Sequence, residues 1–331
     1  MAKHLALIPP AVVWLAVVLV AAASLSIGSQ PVPVWDGLLA WGRGEGVAEA
    51  LIVGEVRLPR TVLALAVGAA LGLAGAALQG LLRNPLAEPG LTGASQGAAL
   101  GAASVFYYGW FAAVGPLAVP AAGMLGAGLT LAVMVLLAGS ARAGMVIMAG
   151  LAVTTLAGAL LALALNYAPN PFAMQELVFW LMGSVADRSL ADAALLLPGL
   201  VLGAALIWSQ RRLLAALSLG EAVAESMGLR VRSGTRVVVL GVAVLVGASV
   251  AVAGSIGFVG LMVPHLVRPW VRHRADRVLG MSAGVGAVLV CLADMVVRML
   301  PGTQELKLGV LTSLMGAPLF VWLVWRERGR W

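Results

Sequence analysis

The chain has 331 residues, 61% of them hydrophobic and 11% charged, with a mean hydropathy of +1.01. A soluble domain carries roughly 25% charged residues, so the composition excludes that class and indicates a polytopic membrane protein. The net charge of +7 is not the signature of a nucleic-acid binder, because the arginines are scattered between apolar runs.

In chain order, the apolar run from Leu5 to about Ile27 exceeds the ~7–15 residues of a signal-peptide core and reads as a first span, near 7–27. An outside segment, about 28–56, is polar enough to carry a short surface helix. Arg57 and Arg60 then precede a Gly/Ala-rich span near 61–82. A polar turn with Asn84, Pro85, Glu88 and Pro89 leads into a short span near 93–109. Spans near 117–138 and 145–166 follow, then a second outside segment, about 168–192, opening on Pro169-Asn170-Pro171. After a span near 193–209 comes the longest inside loop, Gln210 to Arg236. The last four spans are near 236–254, 257–271 (short), 279–298 and 308–325. This is an all-α polytopic fold of about ten transmembrane helices in a single domain, 1–331. Its 41 glycines supply tight helix contacts, which matter where lipid gives no hydrophobic drive between helices.

An even number of spans puts both termini on one side. With Lys3 and the C-terminal Arg326, Arg328 and Arg330 cytoplasmic, about fifteen basic residues fall inside and about six outside, as the positive-inside bias requires.

Within the inside loop, Ser218-Leu-Gly-Glu221 has capping-box spacing and Gly228 suits a helix C-terminus. The helix expected over 218–229 has Leu219, Ala222, Val223, Ser226 and Met227 on one side, and Glu221 and Glu225 on the other. Two glutamates and no lysine disfavour an anionic lipid surface, so a partner-docking role is expected. A faint internal echo links Ala74-Gly75…Gly80-Leu81…Asn84-Pro85-Leu86 with Ala253-Gly254…Gly260-Leu261…Pro264-His265-Leu266. In this topology the copies have opposite sense, as an inverted repeat would.

No nucleotide-binding P-loop, HExxH, paired-cysteine spacing or nucleophile elbow occurs. His4, His265 and His273 share no ligand spacing, and Cys291 stands alone. No catalytic residue, metal site or bound cofactor is expected on this chain. Asp294 is the clearest intramembrane acid, with Arg298 one turn later as a neutralising partner. Glu88 is expected to bind backbone N–H groups of the helix that follows it.

The segments RLPR (57–60), QGLLRNPLAEPGLTGASQGA (79–98), WLMGS (180–184), LGEAVAESMGL (219–229), AGSIGFVGLMVPHLVR (253–268), LAD (292–294) and LGVLTSLMGAP (309–317) carry a family resemblance. From about 50 to 325 the chain resembles the permeases of binding-protein-dependent ABC importers for iron-siderophore complexes, haem and cobalamin. The resemblance implies a type II ABC importer permease with an inverted-repeat core, in the bacterial inner membrane. It implies a second permease copy, with a homodimer expected, and two ATPase subunits that carry ATP and Mg. It also implies a periplasmic substrate-binding protein and a metal-chelate substrate moved by alternating access at the dimer interface. Residue by residue, it gives Arg57, Arg60 and Arg298 as exposed binding-protein contacts. Leu219, Gly220, Glu221, Ala222, Glu225, Met227, Gly228 and Leu229 become the ATPase coupling helix. Asn84 and Leu86, with Ala143 and Gly144 in the loop around Ala141–Met145, become cytoplasmic gate positions, and spans 145–166 and 308–325 line the path. Ser184-Val-Ala-Asp-Arg-Ser189 is more charged than that pattern, which would alter binding-protein contacts. The alternative is an ion-gradient-driven secondary transporter using Asp294. Asp294→Asn separates the two: it should abolish a proton-coupled carrier and leave ATP-dependent uptake largely intact.

Overall fold

Long apolar segments rich in alanine and glycine, with no water to satisfy their backbone, have helix as their available solution, and helices are what form. The computed structural model describes residues 8–28, 30–110, 112–138, 143–272, 274–301 and 305–327, and no strand occurs among them. In chain order the α-helices are α1 (Pro10–Ser26), α2 (Val34–Gly42), α3 (Ala48–Leu51), α4 (Leu58–Leu82), α5 (Ala94–Tyr108), α6 (Ala118–Ala138), α7 (Ala143–Asn166), α8 (Pro171–Leu181), α9 (Leu190–Ser209), α10 (Arg211–Leu217), α11 (Glu221–Ser226), α12 (Val231–Ala253), α13 (Val259–Trp270), α14 (Ala275–Met299) and α15 (Leu308–Glu327).

Each expected span meets a helix: α1, α4–α7, α9 and α12–α15. Among the described residues, 6 helices are long and apolar enough to cross a membrane alone, and Pro10–Ser26 and Leu308–Trp322 are shorter apolar helices. The two spans expected to be short are short here as well. The 12 residues of α13 reach ~18 Å at 1.5 Å each, against ~30 Å of hydrocarbon. The two segments expected to lie outside hold α2 and α8, and Asn170 caps α8 by accepting from the Ala173 N–H at 2.9 Å.

One boundary differs from the sequence reading. The helix of the second span starts at Ala48, continues through a π-helical stretch, Ile52–Arg57, and runs to Leu82. Arg57 and Arg60 therefore lie within the helix, not ahead of it. Pro59 has no N–H to donate, and the widened turn just before it accommodates the missing bond.

The interior is built on small residues. Helices α4 and α14 run antiparallel, with Gly68 against Gly286 and Gly72 against Ser282; a Cβ at Gly68 would lie 2.2 Å from the Gly286 carbonyl oxygen. Gly101 of α5 meets Ala122 of α6 in the same way, and Gly199 and Gly203 of α9 meet Ala248 and Leu245 of α12. Such approach replaces hydrophobic drive with dispersion contact.

The two echo segments pack against each other. A Cβ at Gly75 would lie 1.9 Å from the Gly260 carbonyl oxygen. The Gln79 amide donates to the carbonyls of Gly260 (3.3 Å) and Leu261 (3.2 Å), and Pro89 sits over Gly260. The irregular connections α4–α5 and α12–α13 thus meet inside the bundle, where surrounding protein satisfies their backbone.

Candidate translocation and docking sites

Beside that crossing lies an apolar groove of about 980 Å³, walled by Met182, Ser255, Gly257, Ser313, Leu314 and Trp322 among others. Three backbone elements fix its upper wall. The Gly309 N–H at the start of α15 donates to the Gly183 carbonyl (3.2 Å), and the Ser184 N–H donates to the Ala253 carbonyl (2.7 Å). A Cβ at Gly309 would collide with the Met182 carbonyl at 2.2 Å. Among the described residues the lining has hydroxyls at Ser255 and Ser313 and no charged side chain. The Ser313 hydroxyl is already used within α15, donating to the Gly309 carbonyl at 2.7 Å. This surface offers a bulky ligand contact area with little polar grip.

Glu88 reaches the same crossing. Its carboxylate accepts from the Phe258 N–H at 3.1 Å, and Phe258 (φ 65°) is the residue from which α13 starts. The expectation that Glu88 would serve the helix after its own turn is corrected: it serves α13, not α5. The chemistry is as expected, an anion at a helix N-terminus, but the folding of one loop onto the other selects the helix. Asn84 closes its own turn, its side-chain oxygen accepting from the Leu86 N–H at 2.9 Å, and α4 ends on Arg83 at φ 49°. Ala143 and Gly144 open α7, but their side chains, with residues 141–142, lie outside the described residues.

The arginines expected to be exposed for docking are buried instead: Arg57 is 4% and Arg60 8% accessible. Arg60 Nε donates to one oxygen of Asp294 at 2.7 Å, and Arg298 Nε donates to the other at 2.8 Å. Arg60 also pairs with Glu305 through both terminal nitrogens. Arg298 donates to the Ser24 carbonyl (2.9 Å) and hydroxyl (2.8 Å), and Ser24 shares a 2.7 Å hydrogen bond with Thr61. Arg57 Nη1 caps the end of α1 through the carbonyls of Leu25 (2.9 Å) and Ser26 (3.1 Å). Continuing the helix back to Ala48 turns these side chains inward, onto α1 and α14. Asp294, fully buried, is the hub of this cluster as well as the i, i+4 partner of Arg298. Glu305 and Ser24 were not singled out from the sequence. No local pattern marks Ser24, and Glu305 sits in an ordinary polar connection before α15.

The helix expected over 218–229 forms, with a different start. Ser218 does not cap it: its hydroxyl donates to the Ala215 carbonyl at 2.6 Å, ending α10, and the cap of α11 is Gly220 at φ 114°, without a side-chain bond. The capping box fails because α10, not expected from the sequence, runs up to Leu217 and its open carbonyls take the hydroxyl first. Gly228 (φ 78°) does close the helix, with the Leu229 N–H bonded to the Ala224 carbonyl. Leu219, Val223 and Met227, four residues apart, are 67%, 40% and 61% exposed. Ala222 and Glu225 are also exposed, Glu221 is half-buried, and Ala224 is packed inward.

The charged segment 184–189 is partly used up locally. Ser189 and Asp192 form a reciprocal capping box at the start of α9. Burial pushes the Arg188 guanidinium below its ordinary value, opposed by Asp192 and Asp187.

The family model described as the FecCD transport family matches residues 15–326. The chain belongs to the FecCD transport family. Among FecCD relatives, the vitamin B12 import system permease protein BtuC of Vibrio cholerae is 40% identical, with 84% of each chain covered. The hemin transport system permease protein HmuU of Yersinia pestis is 38% identical, with 83% of each covered. A solved chain described as a metal-chelate-type ABC transporter in an inward-facing conformation superposes with a TM-score of 0.81 at 31% identity. That likeness covers 96% of this chain and 98% of the other. As a FecCD member, the chain is a multi-pass transport permease.

Proposed function

We propose that this chain is the membrane-spanning subunit of an ATP-driven importer that carries a metal chelate into the cytoplasm. The observation that carries the reading is the apolar groove along α15, which adjoins the crossing of two irregular loops. A large chelate needs a wide, weakly gripping wall, and broken helices are where alternating-access proteins build such paths. A second copy of the chain completes the path from the open side of the groove. BtuC and HmuU, among the relatives, favour a corrinoid or haem over other chelates.

Two docking surfaces serve the partners. The exposed Leu219–Val223–Met227 stripe, with Glu221 and Glu225 beside it, seats in the ATPase, whose own site holds ATP and Mg. The gate residues Asn84, Leu86, Ala143 and Gly144 lie at that end, which with both termini is cytoplasmic. At the other end the buried Arg57, Arg60 and Arg298 brace the helix ends that meet a periplasmic binding protein, through the carbonyls closing α1, Asp294 and Glu305. The ion-gradient alternative loses its main support, since both carboxylate oxygens of Asp294 are engaged by arginines and none is left to shuttle a proton.

The test is ATP hydrolysis by the permease reconstituted with its ATPase and binding protein. Stimulation by binding protein loaded with cobalamin or haem, and none by the empty form, is the expected outcome. Uptake that follows an imposed proton gradient without ATP would overturn the reading.

A further inference from the structure

A second apolar groove, of about 600 Å³, is lined by residues of α1, α4, α9 and α14. Its walls include Pro10, Trp14, Leu73, Trp208 and Met281, and among the described residues its one charged lining residue is Arg277. The volume falls within the ~300–1,000 Å³ of ligand sites. Trp208 is the centre of the arrangement. The benzene edge of its indole packs toward Gly280, whose added Cβ would meet it at 3.7 Å. Over the ring, 5.7 Å from its centroid, stands the guanidinium of Arg211, which also donates to the Trp208 carbonyl at 3.2 Å. Arg211 and Arg277 are both exposed. The indole thus separates an apolar slot from a cationic mouth.

The surrounding sequence keeps that mouth positive. Residues 205–217 and 270–283 hold five arginines (Arg211, Arg212, Arg272, Arg274 and Arg277) against one acid, Asp276. Trp14 and Trp208 themselves are 49% and 46% exposed, at the level where helices α1 and α14 begin and α9 ends. Indoles in that position belong at the headgroup boundary of a bilayer.

We propose that this groove is a binding site for one anionic phospholipid of the leaflet at the α9–α10 end. An acyl chain lies along Trp14, Leu73 and Met281, and the headgroup phosphate is held between Arg277 and Arg211. Charge complementarity selects the occupant: the slot has the apolar walls an acyl chain requires, with one guanidinium in its lining, Arg277, and another, Arg211, over the Trp208 ring, and such groups suit a phosphate. A second copy of the chain or a partner helix would not need cations at that mouth. The site is separate from the translocation groove, and α10, which carries Arg211, packs directly on the docking helix α11. A lipid seated there steadies the support of the docking helix.

The test is lipid retention by the purified full-length chain, read by native mass spectrometry during titration with phosphatidylglycerol or with phosphatidylcholine of the same acyl chains. The expected result is a stoichiometric phosphatidylglycerol adduct and a weaker phosphatidylcholine one. Arg277→Ala and Arg211→Ala should each lower the phosphatidylglycerol affinity about fivefold. Arg232→Ala, a cation at the start of α12 away from the groove, should not change it. Ala283→Leu, which fills the slot, should remove both adducts. Equal retention of the two lipids, or phosphatidylglycerol binding unchanged in both groove-arginine variants, would overturn the proposal. So would inorganic phosphate competing fully for the adduct, or a dimer mass that displaces lipid and is lost in Ala283→Leu.

Discussion

Arginines occupy both ends of this bundle, and the two ends use them in opposite ways. In the cluster on α4 and α14, Arg57, Arg60 and Arg298 are withdrawn from solvent and saturated by Asp294, Glu305, Ser24 and the carbonyls closing α1. At the α9–α10 end, Arg211 and Arg277 stay exposed around an indole and an apolar slot. The same side chain is a structural strut where helices close over it and a surface handle where they do not. Sequence gives both the same look: an arginine beside an apolar run.

The sharpest way to break this contrast is to remove the strut's hub. Asp294→Ala leaves two buried guanidinium groups without their shared carboxylate and should cost about 3–5 kcal/mol, read as a large fall in thermal stability and membrane abundance. This revises the expectation that Asp294→Asn leaves uptake nearly intact: loss of that charge also weakens the helix cluster. Replacing Arg60, Asp294 and Arg298 together with Met, Leu and Met should recover much of the lost stability, because the charges that depend on Asp294 are removed along with it. If the triple variant is no more stable than Asp294→Ala, the cluster is not an electrostatic unit.

Next in size is Gly75→Val, which drives a side chain into the Gly260 backbone and should cost at least about 1–3 kcal/mol, seen as a lower melting temperature. Gln79→Leu keeps the volume but leaves the Gly260 and Leu261 carbonyls without their shared donor, a loss of about 1 kcal/mol. Smallest in stability is Met227→Asp on the exposed stripe, within about 0.5 kcal/mol of the parent. Its effect should appear in assembly: co-purification of the ATPase should fall sharply while folding is unchanged. A stable variant that still binds the ATPase at full strength would remove α11 from the docking surface.

Much of the architecture is legible from residue order. The helices that meet the ten expected spans, the shortness of α5 and α13, the paired irregular connections and the exposed stripe of α11 follow from hydropathy and from glycine and proline positions, which act over a few neighbouring residues. The capping box at Ser218 failed because α10 intruded from the N-terminal side, and the helix after Glu88 was the wrong partner because another N-terminus came closer. Both errors concern competition between local options, and only packing resolves that.

Sequence alone therefore determined that the chain is a bundle of membrane helices, since a bilayer admits few backbone solutions for runs this apolar. Tertiary structure decided which polar groups meet. It brought Asp294 to Arg60 across 234 residues and Glu88 to Phe258 across 170, and it left Arg277 facing an open slot. Burial, partner and accessibility of a charge are set by the helices that close around it, and no local pattern of residues records which helices those will be.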